Sequence, residues 1–545
     1  MTGIAKRSTA AFRQFWRSED GNTTIVCIYM SLAILLVIGG AIDVMRYESV
    51  RTKMQHVLDR AVLAAADLDQ EADPSSVAQD YVTTAGLGNA LTGVTVDDGL
   101  NYRTVSASGQ TDVDTFFMRM TGIDTLTAPA LSTAEEKISK VEISLILDRS
   151  GSMSWASVSG KPTKIENLRD AAKEFVETVI TPTENVTDQT TVSLVSYNAT
   201  VSLGPTVSQY FNLEDTHDYS SCVIFDDDEF DTIDITGTEE LKRLAHFDRS
   251  SSNEWTTEIS SPWCSDDNYG RMIVHSSDVD FLKDEIDDLG AGGNTAIDLG
   301  MKWGVALLSP AVRPVVQAMM TDGHIGGAAV QRPAEYTDTE AMKVIVLMTD
   351  GENTTQYDLK SQFKTGMSDV WIDERGNSNP DDDRFSVLVD DNYGSNNDEY
   401  YWVRYDGWSW SYRYRNSPDG GSSARRMSNA EVYARFGVKA VAKKFWERPK
   451  WDGHISSSTY NSIYNGSTSI VGANSADDRL SDVCAAARDK GIVVFAIAFE
   501  APSRGQDALQ DCASSPSHYF EVEGIEITET FHAIARQINN LRLIQ

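Results

Sequence analysis

Asp148, Ser150 and Ser152 stand at i, i+2 and i+4 in the stretch Asp148-Arg149-Ser150-Gly151-Ser152-Met153-Ser154. Carboxylate and hydroxyl oxygens are hard donors, and on one turn they can face a common cation. Alone, the pattern is equally that of a turn or a helix N-cap. Two distant stretches add to it. Gly290-Ala291-Gly292-Gly293-Asn294 leads into Thr295, and Asp350 ends the run Lys343-Val344-Ile345-Val346-Leu347-Met348-Thr349. Asp148, Ser150, Ser152, Thr295 and Asp350 offer oxygen only. Hydroxyls, few carboxylates and positions left for water suit Mg²⁺, octahedral at ~2.1 Å, better than a Ca²⁺ cage of about six to eight oxygens. Mn²⁺ and Ca²⁺ are the alternatives.

Elements that must hold these residues are legible around them. Residues 141–147 are apolar and β-branched and read as a buried strand. In 164–180 the apolar residues Ile165, Leu168, Ala172, Phe175, Val176 and Val179 recur at helical spacing. Then follow a strand at 190–197, a helix at 296–308, a strand at 343–348, a helix at 476–490, a strand at 492–499, a helix near 506–512, a strand at 518–522 and a helix at 527–541. This alternation predicts an α/β fold with a mostly parallel, doubly wound sheet. Ligands of such sheets bind at the carboxyl ends of strands, where Asp148 and Asp350 fall. Met320-Thr321-Asp322-Gly323 repeats Thr-Asp-Gly, but 313–319 is a poorer strand, broken by Pro314, so Asp350 is preferred.

Together the three pieces resemble the von Willebrand factor A domain and its metal-ion-dependent adhesion site: Asp-x-Ser-x-Ser, then a Thr, then an Asp, on separate loops. The resemblance spans about 141–540. It implies that Ser150, Ser152 and Thr295 touch the metal, that Asp148 and Asp350 hold it largely through waters, and that an acidic group of a protein partner completes the shell.

Residues 21–42 carry no charge and are long enough to span a ~30 Å hydrocarbon core. A cleaved signal would be shorter and end in a small-residue site; here Asp43-Val44-Met45-Arg46 follows. A transmembrane helix over about 24–45 is expected. Past it, Val50, Met54, Val57, Ala61 and Ala65 mark one helical face, which packs either on its own domain or on other membrane helices. Phe15, Asp20-Gly21-Asn22, the span, Asp43 and Leu58-Asp59-Arg60-Ala61-Val62-Leu63-Ala64-Ala65-Ala66 resemble the N-terminal segment of TadE/TadG-like proteins of Tad (Flp) pilus assembly. The apolar run lacks the Glu of a processed pilin-like subunit, which implies a membrane-anchored assembly protein.

The net charge is −34 over 545 residues, although the first 60 carry eight Lys and Arg against five Asp and Glu. Nucleic acid is therefore not an expected partner. Loop charges around the span are nearly balanced; the short preceding tail and the acidic bulk favour a cytoplasmic N-terminus and a periplasmic bulk, at a bacterial inner membrane. Three parts are expected: 1–68 with the span, an α+β spacer at 69–140 with a helix-like run near 112–120, and the A-like domain at 141–545. Insertions are expected at about 204–276 and 355–428. In the second, 400–414 reads as a hairpin turning at Asp406-Gly407, with Trp402, Tyr405, Trp408 and Trp410 as candidate partner contacts. Cys484 with Cys512 and Cys222 with Cys264 are the local disulfide candidates, suited to an oxidising compartment. No Walker A, His-Glu-x-x-His, Gly-x-Ser-x-Gly or Cys-x-x-Cys motif occurs, and a non-enzymatic role is expected. The reading is an adaptor for other pilus-assembly proteins; a surface adhesin, or an accessory to an ATPase machine, are the alternatives.

Overall fold

The computed structural model describes residues 21–67, 72–98, 102–137, 140–158, 162–180, 190–265, 270–338, 341–390, 398–405 and 410–544. The chain forms two compact units, Met1–Ile138 and Ser139–Gln545.

The first unit is built on helix α1 (Gly21–Ala66). By length and composition its apolar part is able to cross a membrane. Its C-terminal half buries Met54, Leu58, Ala61, Val62 and Ala65 against its own unit. The partners are Ala78 and Val82 of α2 (Pro74–Thr84) and Val105, Ala107, Ala130 and Ala134 of a sheet. That sheet is antiparallel, β1 (Leu91–Asp98), β2 (Tyr102–Asp114) and β3 (Thr125–Lys137) in that order. The helix reaches it through Gly109, where a Cβ would lie 2.6 Å from Met54 Cε. So the face read at 50–65 serves the unit's own core. The helix-like run at 112–120 does not form. Strand β2 continues to Asp114, and only Met118–Thr121 turns, as a single 3₁₀ turn. The cause is Asp43, whose carboxylate takes the backbone N–H groups of Phe116, Phe117 and Met118. Pro129 lies in edge strand β3, opposite Gln110, where a missing N–H is tolerated.

In chain order the second unit holds β4 (Lys140–Asp148), α3 (Lys164–Ile180), β5 (Thr190–Tyr197), β6 (Ile273–Ser276), α4 (Val279–Asp287), α5 (Ile297–Ala306) and β7 (Ala341–Thr349). A five-stranded antiparallel insertion follows: β8 (Met367–Asp373), β9 (Arg384–Asp390), β10 (Glu399–Tyr405), β11 (Trp410–Arg415) and β12 (Arg425–Ser428). Last come α6 (Ala473–Asp489), β13 (Val493–Phe499), α7 (Ser503–Cys512), β14 (Tyr519–Val522) and α8 (Glu526–Ile544). The main sheet runs β14-β13-β7-β4-β5-β6. Every neighbour is parallel except β5 with β6. Because side chains alternate along a strand, the sheet feeds two apolar clusters. Ile143, Leu145, Leu147, Val344, Val346 and Phe495 share one with α3, α4 and α8. Ile146, Ile345, Leu347, Val494 and Ala496 share the other with α5, α6 and α7. Each fully buried aliphatic side chain contributes ~1.5–3 kcal/mol of transfer free energy.

The fold corrects two further expectations and bears out a third. Residues 313–319 are no strand: Arg313–Thr321 is a helix with Pro near its start, and Asp322 beyond it accepts the Tyr210 hydroxyl at 2.6 Å. The second insertion does not stop near 428, because Val432, Tyr433, Phe436, Phe445 and Ile463 fill the same core as Val370, Phe385 and Val403. It closes where Gln356–Leu359 pairs with Ser467–Val471. The hairpin at 400–414 forms, Tyr405 opposite Trp410. Its turn, with Trp408, lies outside the described residues, as do the side chains of Tyr405 and Trp410.

Candidate functional site

Parallel strands β4 and β7 are neighbours in register, Leu147 opposite Met348. Their carboxyl ends therefore set Asp148 and Thr349-Asp350 side by side. Thr349 Oγ1 donates to Asp148 Oδ2 at 2.5 Å. After Asp148 the chain turns at once: the Ser150 N–H donates to Asp148 Oδ1 at 2.7 Å. That turn brings Ser150 Oγ within 3.1 Å of Ser152 Oγ. The Ser152 hydroxyl in turn donates to Asp350 Oδ1 at 2.6 Å. Four of the five residues are thus joined in one hydrogen-bonded chain.

Thr295 arrives from a third segment. The Gly151 N–H donates to Gly293 O (2.9 Å), the Gly292 N–H to Arg149 O (2.9 Å), and the Ala296 N–H to Asn198 O (2.7 Å). Gly293 has φ +85°, and a Cβ there would meet Asn198 Nδ2 at 2.9 Å, so the Gly-Gly-Asn turn needs glycine at this point. Thr354 clamps Thr295 from the other side. Its N–H and hydroxyl donate to Thr295 O at 2.9 and 3.0 Å, and its Oγ1 accepts the Thr295 N–H at 3.1 Å. Gly351 lies at the point of convergence. A Cβ on it would be 3.4 Å from Thr295 Oγ1 and 3.9 Å from Asp148 Oδ2. Asp148, Ser150, Thr295 and Asp350 are buried, and Ser152 is half-buried.

Two carboxylates this close and this buried repel. Burial first, and the Asp350 charge second, push the Asp148 carboxyl up to about 7. The compensating charge is a residue that the motif does not include. Lys164 Nζ sits 3.0 Å from Asp350 Oδ2 and 3.7 Å from Glu500 Oε2, with its side chain 8% exposed. Burial works to raise the Glu500 carboxyl, but hydrogen bonds from Ser157, Gly524 and Val158 and the Lys164 charge hold it below its ordinary value. Sequence reading missed Lys164, Thr349 and Glu500. One signal was present: Lys164 begins α3, and a cation in a first helical turn opposes the helix dipole.

The donor set fits a hard divalent cation. Three hydroxyls and two carboxylates converge; Ser150, Ser152 and Asp350 bond to one another and to the Lys164 ammonium, contacts exchangeable for a metal, while Asp148 is oriented by the Thr349 hydroxyl and the Ser150 N–H. Among the described residues no three His, Cys, Asp or Glu side chains cluster as a metal site. Beside the Asp148 loop, Arg149 Nη2 donates to Ser265 Oγ at 2.8 Å. A polar cleft there is lined by Arg149, Asn198, Gly293, Asp248 and Trp263. The first insertion therefore borders the loop. In the second, Trp402 is half-buried; its indole N–H donates to Ser417 O at 2.7 Å and Arg404 lies over its ring, so it serves its own hairpin. Cys222–Cys264 and Cys484–Cys512 are both disulfide-bonded.

Among solved structures, the vWF domain of the type V pili tip protein of Porphyromonas gingivalis is similar at 14% identity, covering 74% of this chain and 96% of that one, TM-score 0.31. A pilus adhesin of Lactobacillus rhamnosus GG is similar at 11%, covering 82% and 34%, TM-score 0.29. An adhesive tip pilin of Group B Streptococcus agalactiae is similar at 10%, covering 83% and 67%, TM-score 0.30. No curated protein matches. Residues 21–68 match the family described as "Putative Flp pilus-assembly TadE/G-like", so the chain carries a TadE/G-like segment of the Tad (Flp) pilus-assembly kind.

Proposed function

We propose that this protein is a membrane-anchored, extracytoplasmic adaptor of a Tad (Flp) pilus machine, which grips a protein partner through a Mg²⁺-dependent site. The observation that carries the reading is the convergence of Asp148, Ser150, Ser152, Thr295 and Asp350 from three loops at the carboxyl ends of β4 and β7. In this reading the second unit is a doubly wound von Willebrand factor A-like domain, and α1 anchors it in the bacterial inner membrane with the N-terminus cytoplasmic and the bulk periplasmic. Ser150, Ser152 and Thr295 would hold the metal directly, and Asp148 and Asp350 largely through waters. The ion would supply a Lewis-acid position for an acidic side chain of the partner. What the chain itself does is fix the donors. Thr349 and the Ser150 N–H orient Asp148, Thr354 orients Thr295, and Lys164 holds Asp350 until it is needed. The site binds and does not catalyse. Of its three hydroxyls, those of Ser150 and Ser152 are bonded to one another, and Ser152 to Asp350. Both disulfides agree with an oxidising compartment.

The test is a crosslinked pull-down from membranes with and without Mg²⁺, using the full chain and Asp148→Ala. Capture of a pilus-assembly protein that is lost in EDTA and in the variant, with folding unchanged by circular dichroism, is the expected result. Capture surviving both removes the metal bridge from the reading.

A further inference from the structure

The β2–β3 tip is held against α1 at one defined height. Asp43, 1% exposed, accepts three backbone N–H groups from that tip: Phe116 at 3.0 Å, Phe117 at 2.7 Å and Met118 at 2.8 Å. Four residues nearer the apolar end of the helix, a Cβ on Gly39 would fall 2.4 Å from Phe117 Cγ, so the ring rests on the bare backbone there. The tip is stiff: Thr115 closes its neck with bonds to Ile123 O and Asp124 O at 2.5 and 3.1 Å. Yet it turns apolar side chains outward. Phe116 is 65% exposed, Met120 68% and Ile123 41%. Arg46 lies over the Phe116 ring at 4.1 Å, and Arg119 pairs with Asp124 at 3.0 Å.

Height decides what covers this tip. The uncharged run ends at Ile42, and ~20 helical residues back from it fill a ~30 Å hydrocarbon core. Asp43 then marks the hydrocarbon boundary. Gly39, with Phe117 on it, lies about 6 Å inside at ~1.5 Å per residue. Arg46 and Arg119 fall at the depth of lipid phosphates. An apolar wedge flanked by Arg, at interfacial depth, is the composition of a membrane-surface contact.

We propose that residues 116–123 form a second membrane contact, in the leaflet where the apolar part of α1 ends, with Phe116, Phe117, Met120 and Ile123 among the acyl chains and Asp43 as the pin. The occupant is the lipid bilayer. Because the spacer is already fixed to α1 by a shared core and by Asp43, a second contact restricts the tilt and rotation of the whole first unit against the bilayer. This inference rests on α1 spanning the bilayer.

The experiment uses the full chain with Cys27→Ser, reconstituted in vesicles of phosphatidylcholine and phosphatidylglycerol that carry doxyl-labelled lipids. Single cysteines at Met120, Ala33 and Asp80 are labelled with an environment-sensitive fluorophore. Met120 reads the tip, Ala33 the middle of the span, and Asp80 an exposed site on α2. The expected result is strong quenching of the Met120 label by shallow doxyl, of the Ala33 label by deep doxyl, and none at Asp80. Phe116→Glu with Ile123→Glu should lower quenching at Met120 at least threefold and leave Ala33 unchanged. A Met120 label quenched no more than Asp80, while Ala33 is quenched deeply, overturns the proposal and leaves the span intact. So does a Met120 label shielded from aqueous iodide but not quenched by lipid, which would mean a protein covers the tip. An unquenched Ala33 label overturns the span and this inference with it.

Discussion

Lys164 is the residue whose replacement separates a site poised for a cation from a merely hydrogen-bonded turn. Lys164→Met keeps the length and apolar stem of the side chain and removes its charge. In the structure the ammonium is 3.0 Å from Asp350 Oδ2, with the two side chains 8% and 0% exposed. At an effective dielectric of about 20 this pair attracts by about 5 kcal/mol before desolvation. Removing one partner of a buried pair costs about 3–5 kcal/mol, because the other charge is left uncompensated; here Asp350 would also face Asp148. In EDTA the variant should therefore unfold with about 3–5 kcal/mol less stability than the parent. With Mg²⁺ the sign reverses. If about half of the pair's attraction is offset by the desolvation of Asp350, the variant should bind Mg²⁺ about 10- to 100-fold more tightly, or ~1.4–2.7 kcal/mol. Binding to the folded state then returns stability as RT ln(1 + [Mg²⁺]/Kd). Titration calorimetry gives the affinity. Urea unfolding followed by tryptophan fluorescence gives the stability, since ten of the eleven tryptophans lie beyond residue 138. A variant that binds Mg²⁺ no more tightly than the parent, or that is equally stable in EDTA, would refute the reasoning.

Other consequences can be checked in the same assays. Gly505→Ala puts a Cβ 1.9 Å from Gly351 O; the Asp350 loop must shift, at a cost of about 1–3 kcal/mol, and Mg²⁺ affinity should fall by at least tenfold in calorimetry. His275 is fully buried, bonded to Thr191 Oγ1 and Leu307 O, and burial lowers its pKa to about 4. The unfolded chain takes this proton first, so the contribution is complete above pH ~6.5 and is lost as pH falls toward 4, by up to about 3 kcal/mol. His275→Gln should flatten that part of the urea-midpoint profile, with His246, also lowered to about 4 by burial, supplying the slope that remains. Cys484→Ala with Cys512→Ala opens a loop of 28 residues and should cost about 3–4 kcal/mol in urea; an unchanged midpoint would show that α6 and α7 are held by packing alone.

The main sheet was legible because its strands are buried on both faces and therefore read as unbroken apolar runs. Strands β4, β7 and β13 are the clearest, and the oxygen donors fall where such runs end. The spacer was not legible, because its determinant is one side chain outside it. Residues 112–120 have helical spacing, but Asp43, about seventy residues away, takes three backbone N–H groups and imposes a turn. At 313–319 the determinant is local instead: a Pro near the first turn favours helix although the apolar content alone suggests a strand. Lys164 shows the limit most plainly. Its spacing to Ser152 carries no motif, and only the fold brings its ammonium onto Asp350 across 186 residues. A site of this kind is half written in the donors, which follow a pattern, and half in the counter-charge, which follows from burial. Two adjacent buried carboxylates need positive charge from somewhere. The protein supplies one unit from Lys164; in the proposed reading a bound cation would supply the rest.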